Sequence, residues 1–256
     1  MKIVKDMAQW RTVRGTLEKP IGFVPTMGAL HDGHASLLKT SIRQNHSTVL
    51  SIYLNPTQFN DPKDLDHYPS TLDTDLALAE KLGVDFVLLP RYEDLYADGY
   101  RYQVVENQFG NELCGANRPG HFTGVLTVVM KLLNLVRPAR AYFGKKDHQQ
   151  YLLVRDMVDT FFMDTQIIGC ETVRECDGLA MSSRNQLLSP EARRVAGHFN
   201  RVLRLPDCDE KIRAELLELG VTVDYLETRA NRRYGAIVVD SNGSTVRLID
   251  NMEVMQ

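Results

Sequence analysis

The chain has 256 residues, a formal net charge of −3 from 30 basic and 33 acidic residues, and 43% hydrophobic residues. A chain of this length is sufficient for one large or two moderate domains with a real core. Its basic residues are spread along the sequence, which argues against a nucleic-acid partner, and no apolar run approaches the ~20 residues that cross a bilayer. Charged residues also interrupt the N-terminal segment, so a signal peptide is not expected.

The first two thirds of the chain alternate between predicted strands and predicted helices. Apolar runs predict strands at Ile21–Val24, Ser47–Asn55, Val84–Pro90, Tyr102–Glu106, Ala139–Phe143 and Gln166–Glu171. Helical spacing predicts helices at Met7–Leu17, Ala35–Ile42, Leu72–Leu82, Val125–Val136 and Gly144–Phe161, the last opened by Gly144–Asp147. This alternation predicts an α/β fold, in which helices cover both faces of a doubly wound parallel sheet.

The pattern changes after about Val173. A loop-like block is followed by helices at Pro190–Leu205 and Asp209–Leu219, then by strands at Val221–Leu226, Ala236–Asp240 and Thr245–Ile249. The last two strands are joined by Ser-Asn-Gly-Ser, a typical hairpin turn. We therefore predict two domains, residues 1–173 with the parallel sheet and residues 174–256 as a smaller α+β domain that acts as a lid.

The four cysteines, Cys114, Cys170, Cys176 and Cys208, show no C-x-x-C spacing. A chain with a large core has no need of disulfides, so they are expected to be reduced thiols in a cytoplasmic protein.

One stretch, Pro25–His34, places two histidines where a strand gives way to a helix. A helix N-terminus offers unpaired N–H groups and positive potential, so it suits a phosphate group. A zinc site is the other functional interpretation of His31 and His34. Zinc sites usually repeat such a pair at a fixed spacing, and no second pair follows. The stretch therefore predicts a phosphate site.

Further polar segments follow other predicted strands, namely Asn55–Gln58 and Gly144–Asp147. Ligands of open parallel sheets lie beyond the carboxyl ends of the strands, so these segments are expected to meet at one rim. Lys146 can bind a phosphate, and Asp147 can bind a ribose hydroxyl or help to place Mg²⁺.

Two further groups of side chains suit the same rim. The Met181–Arg184 loop supplies two hydroxyls and a guanidinium for phosphate oxygens. Gln58, Gln149 and Gln150 carry no charge and can both donate and accept hydrogen bonds, so they suit a small hydroxy acid.

The H-x-G-H stretch together with the distant Met-Ser-Ser-Arg loop resembles the signature of the HIGH-motif nucleotidylyltransferase superfamily, whose fold is Rossmann-like. More narrowly, six segments in order resemble the pantothenate synthetase (pantoate-beta-alanine ligase) family. They are Pro25–His34, Asn55–Phe59, Arg118–Phe122, Phe143–Gln150, Met181–Asn185 and Arg247–Asn251.

The resemblance implies a ligase of pantothenate biosynthesis that uses ATP with Mg²⁺ to activate pantoate as an adenylate, which beta-alanine then attacks. It implies a homodimer, and the Mg²⁺ ligands are left unidentified. The implied catalytic residues are His34, His31, Lys146 and Arg184. The implied ATP-binding residues are Met27, Gly28, Ala29, Leu30, His31, Asp32, Gly33, His34, Gly144, Lys145, Lys146, Asp147, Val173, Met181, Ser182, Ser183 and Arg184. Gln58 and Gln150 are the implied pantoate ligands, Gln58 also lies near beta-alanine, and Asn55 belongs to the same substrate site.

Two features depart from the family's pattern: the C-terminal domain is short, and Leu187 stands where tyrosine is expected. Three alternatives stay open from the sequence. Another small-substrate nucleotidylyltransferase would leave a nucleotide in its product. A tRNA synthetase would need an anticodon-reading domain, and a non-catalytic nucleotide sensor would bind ATP without turnover.

Overall fold

A computed structural model describes residues 1–254 of the chain, which form two sheets. The larger sheet is entirely parallel and has the strand order β1-β4-β3-β2-β5-β6. Its strands are β1 (Lys2–Val4), β2 (Ile21–Thr26), β3 (Ser47–Ile52), β4 (Phe86–Leu88), β5 (Arg140–Gly144) and β6 (Gln166–Cys170). The predicted parallel sheet is confirmed.

Helices connect these strands. They are α1 (Met7–Arg14), α2 (Asp32–Gln44), α3 (Pro62–Asp66), α4 (Leu72–Leu82), α5 (Tyr92–Leu95), α6 (Cys114–Asn117), α7 (His121–Val136) and α8 (His148–Thr160). Short 3₁₀ turns lie at Pro56–Gln58, Phe109–Asn111 and Lys145–Asp147.

The inner strands β2, β3 and β4 are buried on both faces because helices cover both. Phe23 on β2 packs with Trp10 of α1 and with α7 and α8 on one side. The next residue, Val24, points to the other side and packs with Leu38 of α2 and Ala79 of α4. This alternation explains why the strands are continuous apolar runs in the sequence.

The strand order reverses direction at the neighbouring strands β2 and β5. Chain connections leave this point toward opposite edges of the sheet, so a crevice opens beyond the strand ends. The segments after Thr26 and after Gly144 therefore lie side by side.

The smaller domain contains α9 (Pro190–Gly197), α10 (Phe199–Leu203), α11 (Asp209–Glu218) and the antiparallel strands β7 (Thr222–Arg229), β8 (Arg232–Ser241) and β9 (Ser244–Glu253). Its core is separate and includes Phe199, Leu216 and Ile237. Asn242 and Gly243 have φ of 56° and 83°, as a type I′ hairpin turn requires, so the predicted turn is confirmed. A 3₁₀ turn at Ser183–Leu187 precedes this domain's helices.

Two sequence predictions about the elements need correction, and one strand has no counterpart among the predictions. Tyr102–Glu106 forms no strand: Tyr102 and Val105 are exposed, and the Val104 N–H donates to the Thr127 hydroxyl. Strand β1 was not predicted, because only one of its three residues is buried.

The predicted Pro190–Leu205 helix is two helices, α9 and α10, which meet at His198. The boundary at residue 173 stays a prediction; β6 ends at Cys170 and β7 begins at Thr222. Among residues 1–254, no helix is long and apolar enough to cross a membrane.

Candidate active site

A cavity of about 220 Å³ opens between the carboxyl edge of the parallel sheet and the loops that lead to the small domain. Its walls bring together residues from four of the sequence segments singled out above. They include Met27, His31, Gly33, His34, Asn55, Gln58, Gly144, Lys146, Asp147, Gln150, Val173, Met181, Ser182, Ser183 and Arg184.

The two histidines cap helix α2 reciprocally. The Gly33 N–H donates to Nδ1 of His31 at 3.1 Å, and the His31 N–H donates to Nδ1 of His34 at 3.3 Å. Each ring therefore accepts at Nδ1, so its proton lies on Nε2. Both residues line the cavity, and Nε2–H is the side of each ring left free to donate into it.

Both histidines are neutral at physiological pH. Burial, and then the positive charge of Lys146, lower the pKa of His31 to about 4. Burial, and then His31 and Lys146, lower the pKa of His34 to about 3. A neutral Nε2–H suits a phosphate oxygen, because it donates a hydrogen bond without first losing a proton.

Gly33 has no room for a side chain. A Cβ there would lie 2.7 Å from Cε1 of His31, closer than real contacts allow. Glycine at this position therefore lets the His31 ring fold back over the helix N-terminus.

Asp75, which sequence reasoning missed, fixes the loop before the histidines. Its side chain is buried and accepts the N–H groups of Ala29 and Leu30, each at 2.8 Å, and the hydroxyl of Thr71 at 3.1 Å. The amides of Ala29 and Leu30 are thus already occupied. No local pattern distinguishes Asp75 from the other acidic residue in the first turn of α4, Asp73, which is exposed.

Gln58 is a buried residue of the cavity lining. Its Nε2 is 3.0 Å from Sδ of Met27, and its Oε1 accepts from Nδ2 of Asn55 at 3.1 Å. Asn55 is buried, and its Oδ1 also accepts the hydroxyls of Tyr96 and Thr57. Asn55 therefore supports Gln58 from behind.

Gln149 and Gln150, the two glutamines at the start of α8, point to different surroundings. Gln150 lines the cavity. Gln149 is buried and donates to the carbonyls of Phe109 and Glu112 at 2.7 and 2.8 Å. Gln149, which the sequence grouped with the hydroxy-acid ligands, thus has its amide committed to the neighbouring loop.

The Lys145–Asp147 turn is held from the small domain. Nδ2 of Asn251, on β9, donates to the carbonyls of Lys145 and Lys146 at 2.9 and 2.8 Å. The Lys146 side chain lines the cavity with its ammonium 3.9 Å from Asp147. Lys145 points elsewhere and pairs with Glu171.

The Met181–Arg184 loop closes one side of the cavity. The Met181 N–H donates to the Val173 carbonyl at 3.0 Å, so these two predicted residues are adjacent. Nη2 of Arg184 lies 2.8 and 3.1 Å from the carboxylate oxygens of Asp64 on α3. This ion pair joins the loop to the parallel-sheet domain.

Comparison with known proteins points in one direction. A family model described as pantoate-beta-alanine ligase matches residues 1–253. The pantothenate synthetase of Legionella pneumophila strain Lens is 50% identical over 253 residues, which are 98% of this chain and 99% of that protein. That of Bdellovibrio bacteriovorus is 49% identical and covers 99% of both chains. These relatives match this chain in length, so its short C-terminal domain is shared.

Solved structures agree. The pantoate-beta-alanine ligase of Francisella tularensis, in complex with beta-gamma ATP and beta-alanine, superposes with a TM-score of 0.91 at 38% identity, over 99% of this chain and 97% of that one. The pantothenate synthetase of Thermus thermophilus gives a TM-score of 0.85 at 39% identity and covers both chains fully.

Proposed function

The chain belongs to the pantoate-beta-alanine ligase family, and from this premise we propose how its cavity makes pantothenate. It is an AMP-forming ligase that joins pantoate to beta-alanine with ATP. The observation that carries the proposal is the meeting of neutral donors and cations in one cavity that is also lined by the uncharged glutamines Gln58 and Gln150.

We assign the outer part of the cavity to ATP. His31 and His34 donate from Nε2 to the phosphates, and Lys146 supplies a positive charge beside them. The hydroxyls and guanidinium of Ser182–Arg184, which line the same cavity, also bind the phosphates in this proposal. Met27, Gly28, Asp32, Gly144 and Val173 complete the nucleotide site in this proposal.

Gln58 and Gln150 are assigned to pantoate, because they offer hydrogen bonds to hydroxyl and carboxylate groups without adding charge. Gln58 is held in place by Asn55 and by the turn that α7 packs against. A Cβ on Gly124 of α7 would lie 2.4 Å from the Thr57 carbonyl oxygen, so glycine permits this close packing.

In the first step a pantoate carboxylate oxygen attacks the α-phosphorus of ATP. A new P–O bond forms, and the bond to the β-phosphate bridging oxygen breaks, so pyrophosphate leaves with the electron pair. Charge moves onto the phosphate oxygens, where preorganised donors stabilise it best. His34, His31, Lys146 and Arg184 are the residues that we propose for this role.

In the second step the amine of beta-alanine attacks the carbonyl carbon of pantoyl adenylate. The C–N bond forms, the C–O bond to AMP breaks, and AMP leaves with that electron pair. The ammonium group loses one proton to solvent water to become a nucleophile, and a second proton passes to solvent as the amide forms. Holding both reactants in one cavity makes this step effectively unimolecular.

Mg²⁺ is proposed to arrive with ATP as part of the substrate. Protein sites for Mg²⁺ commonly use one or two carboxylates together with the substrate's phosphates. The Asp147 carboxylate, beside Lys146 on the cavity wall, fits that chemistry. The ion would neutralise part of the triphosphate charge.

Assembly and location are also carried over from the family as proposals. We propose a homodimer, which light scattering of the purified protein tests directly. We propose the cytoplasm because the four cysteines are unpaired thiols, which a reducing compartment preserves.

The deciding experiment measures pyrophosphate and AMP release from ATP-Mg²⁺ with pantoate, with and without beta-alanine. We expect AMP release to need both substrates and mass spectrometry to detect pantothenate. ATP binding without either product would contradict the proposal and favour a nucleotide sensor.

The roles within the cavity are tested by substitution. His34→Ala or Lys146→Ala should lower adenylation by roughly 10²-fold or more, as the loss of one preorganised donor commonly does. Lys39→Ala, on the exposed face of α2, is the matched control.

Gln58→Ala should weaken the use of pantoate more than the binding of ATP. Normal pyrophosphate release by a folded His34→Ala or Lys146→Ala variant, or unchanged pantoate kinetics for Gln58→Ala, would contradict the assignment.

A further inference from the structure

A second cavity, of about 70 Å³, lies beneath the small domain and adjoins the first. Lys146, Asp147, Gln150, Ser182 and Arg184 line both cavities. The second cavity therefore borders the proposed reaction site through these shared residues, and the proposed function does not yet use it.

Most charges around this second cavity are paired. Arg247 on β9 lies 2.7 Å from Asp224, and Arg184 lies 2.8 Å from Asp64. Asp250 is buried and lies 2.6 Å from Arg174.

Arg118 differs from these arginines. Its side chain is only 17% exposed, and Asp64, already paired with Arg184, is 3.9 Å away. Its nearer partners are neutral: Nη1 lies 3.2 Å from Nε2 of His121, and Nη2 donates to the Gln58 carbonyl at 3.4 Å. Burial lowers the pKa of Arg118, as expected for a cation that is incompletely compensated.

His121 adds no charge of its own here. Its Nδ1 donates to the Gln58 carbonyl at 2.8 Å, so Nε2 accepts from Arg118. Burial, and then Arg118, lower the pKa of His121 to about 3. The ring thus orients Arg118 while its guanidinium keeps hydrogen-bond donors for an anion.

We propose that Arg118, with Arg247 beside it, binds the carboxylate of beta-alanine in the second cavity, so that the amine reaches the pantoyl carbonyl in the first. This inference rests on the proposed function. The proposed function assigns the phosphates to the histidines, Lys146 and Arg184, and pantoate to the glutamines. Beta-alanine is then the substrate whose anionic group still has no partner. Arg118 contacts the backbone of Gln58, whose side chain lies at the pantoate end, so a short amino acid can connect the two cavities.

The proposal predicts a selective defect in the second half-reaction. Arg118→Met should raise the KM for beta-alanine by roughly 10- to 100-fold, the range for losing a hydrogen-bonded ion pair. Pantoate-dependent ATP–pyrophosphate exchange, which needs no beta-alanine, should stay within about 2-fold of the wild type. Arg155→Met, at an exposed arginine of α8, is the matched control for both assays.

A substrate analogue separates a binding role from a structural one. Wild-type enzyme should discriminate strongly against beta-alaninamide, which keeps the amine and lacks the carboxylate. Arg118→Met should lose most of that discrimination, whereas a variant that is merely distorted would use both amines poorly and keep their ratio. Arg118→Lys, which keeps the charge without the guanidinium fork, should give an intermediate KM.

The outcomes distinguish a failure of the proposed carboxylate site from a failure of the proposed function. Absence of pantoate-dependent exchange in the wild type would overturn the proposed function itself. Normal exchange with an unchanged KM for beta-alanine in Arg118→Met would overturn only the carboxylate site. If Arg118→Met does not fold, Arg118→Lys and Arg247→Met are tested instead. The proposal would be refuted if both variants discriminate between beta-alanine and beta-alaninamide as strongly as the wild type does.

Discussion

At the scale of single residues, His31 and His34 each use one ring nitrogen to cap helix α2 and leave the other free as a donor. Nδ1 satisfies a backbone N–H at the start of α2, and this fixes the proton on Nε2, which faces the cavity. The sequence predicts that these histidines meet phosphate. It does not predict the capping, because serine, threonine, aspartate and asparagine are the usual caps and a histidine cap depends on the rotamer.

This arrangement predicts the protonation state of the free enzyme. The pKa values of about 4 for His31 and about 3 for His34 lie below the ordinary 6.5, so both rings should stay neutral from pH 8 to pH 5. Long-range ¹H–¹⁵N NMR spectra should show the Nε2–H tautomer for both. Titration of either ring near pH 6.5, or an Nδ1–H tautomer, would contradict the capping geometry.

At the scale of elements, the connections that align the cavity walls join parts of the chain that are far apart in sequence. Asp75 on α4 accepts hydrogen bonds from Ala29 and Leu30, which precede it by 46 and 45 positions in the sequence. Asn251 on β9 donates hydrogen bonds to the turn before α8. Periodicity and turn residues predict most helices and strands, since those signals are local. They fail at Tyr102–Glu106 and for these long-range contacts, because the partner that decides each case is not nearby in the sequence.

Asp75→Asn should loosen the loop before His31. The carboxylate accepts two N–H groups and a hydroxyl, whereas an amide would direct its own N–H group at one of these donors. We expect about 1–3 kcal/mol lower stability to urea and slower adenylation. Asp73→Asn, on the exposed side of the same helix turn, should behave as the wild type. Unchanged exchange activity in Asp75→Asn would show that the loop needs no such anchor.

Asn251→Ala should misplace Lys146 without removing it. The turn at Lys145–Asp147 would lose two hydrogen bonds from β9, and small displacements of a charged group are costly for phosphoryl transfer. We expect roughly a 10-fold fall in kcat/KM for ATP, measured by pyrophosphate release. Thr245→Ala, at an exposed position on the same strand, is the control. Equal kinetics for the two variants would contradict the role of Asn251.

At the scale of the whole molecule, the active cavity is formed by both domains. Arg184 pairs with Asp64, Ser183 approaches Tyr68, and Asn251 reaches the turn before α8. The sequence predicts both sheets and a lid-like role for the smaller domain. It does not predict which side chains join them, because those contacts depend on how two separately patterned units pack.

Histidines that are wholly or partly buried also make stability depend on pH. His31, His34, His121 and His148 all have pKa values lowered mainly by burial, to about 3 or 4. The unfolded chain therefore binds protons near pH 6.5 that the folded chain does not, so stability is complete above that pH and is lost as pH falls toward 4.

Urea unfolding should consequently give a free energy of unfolding at least ~1 kcal/mol lower at pH 5 than at pH 7. His121→Gln keeps a hydrogen-bonding side chain that cannot be protonated in this range, so it should flatten that slope. A wild-type free energy that is constant between pH 7 and pH 5 would contradict the lowered pKa values.

The hydrogen bonds from Asn251 to Lys145 and Lys146 also determine when, during synthesis on the ribosome, the cavity can be completed. The nearer pair of partners is 105 residues apart along the chain, so a ribosome has finished the entire parallel sheet long before β9 emerges. A nascent chain can therefore fold its larger domain before Asn251 is available to hold the Lys145–Asp147 turn. Catalytic competence should appear only when the last hairpin is released, which stalled ribosome complexes of increasing length can time.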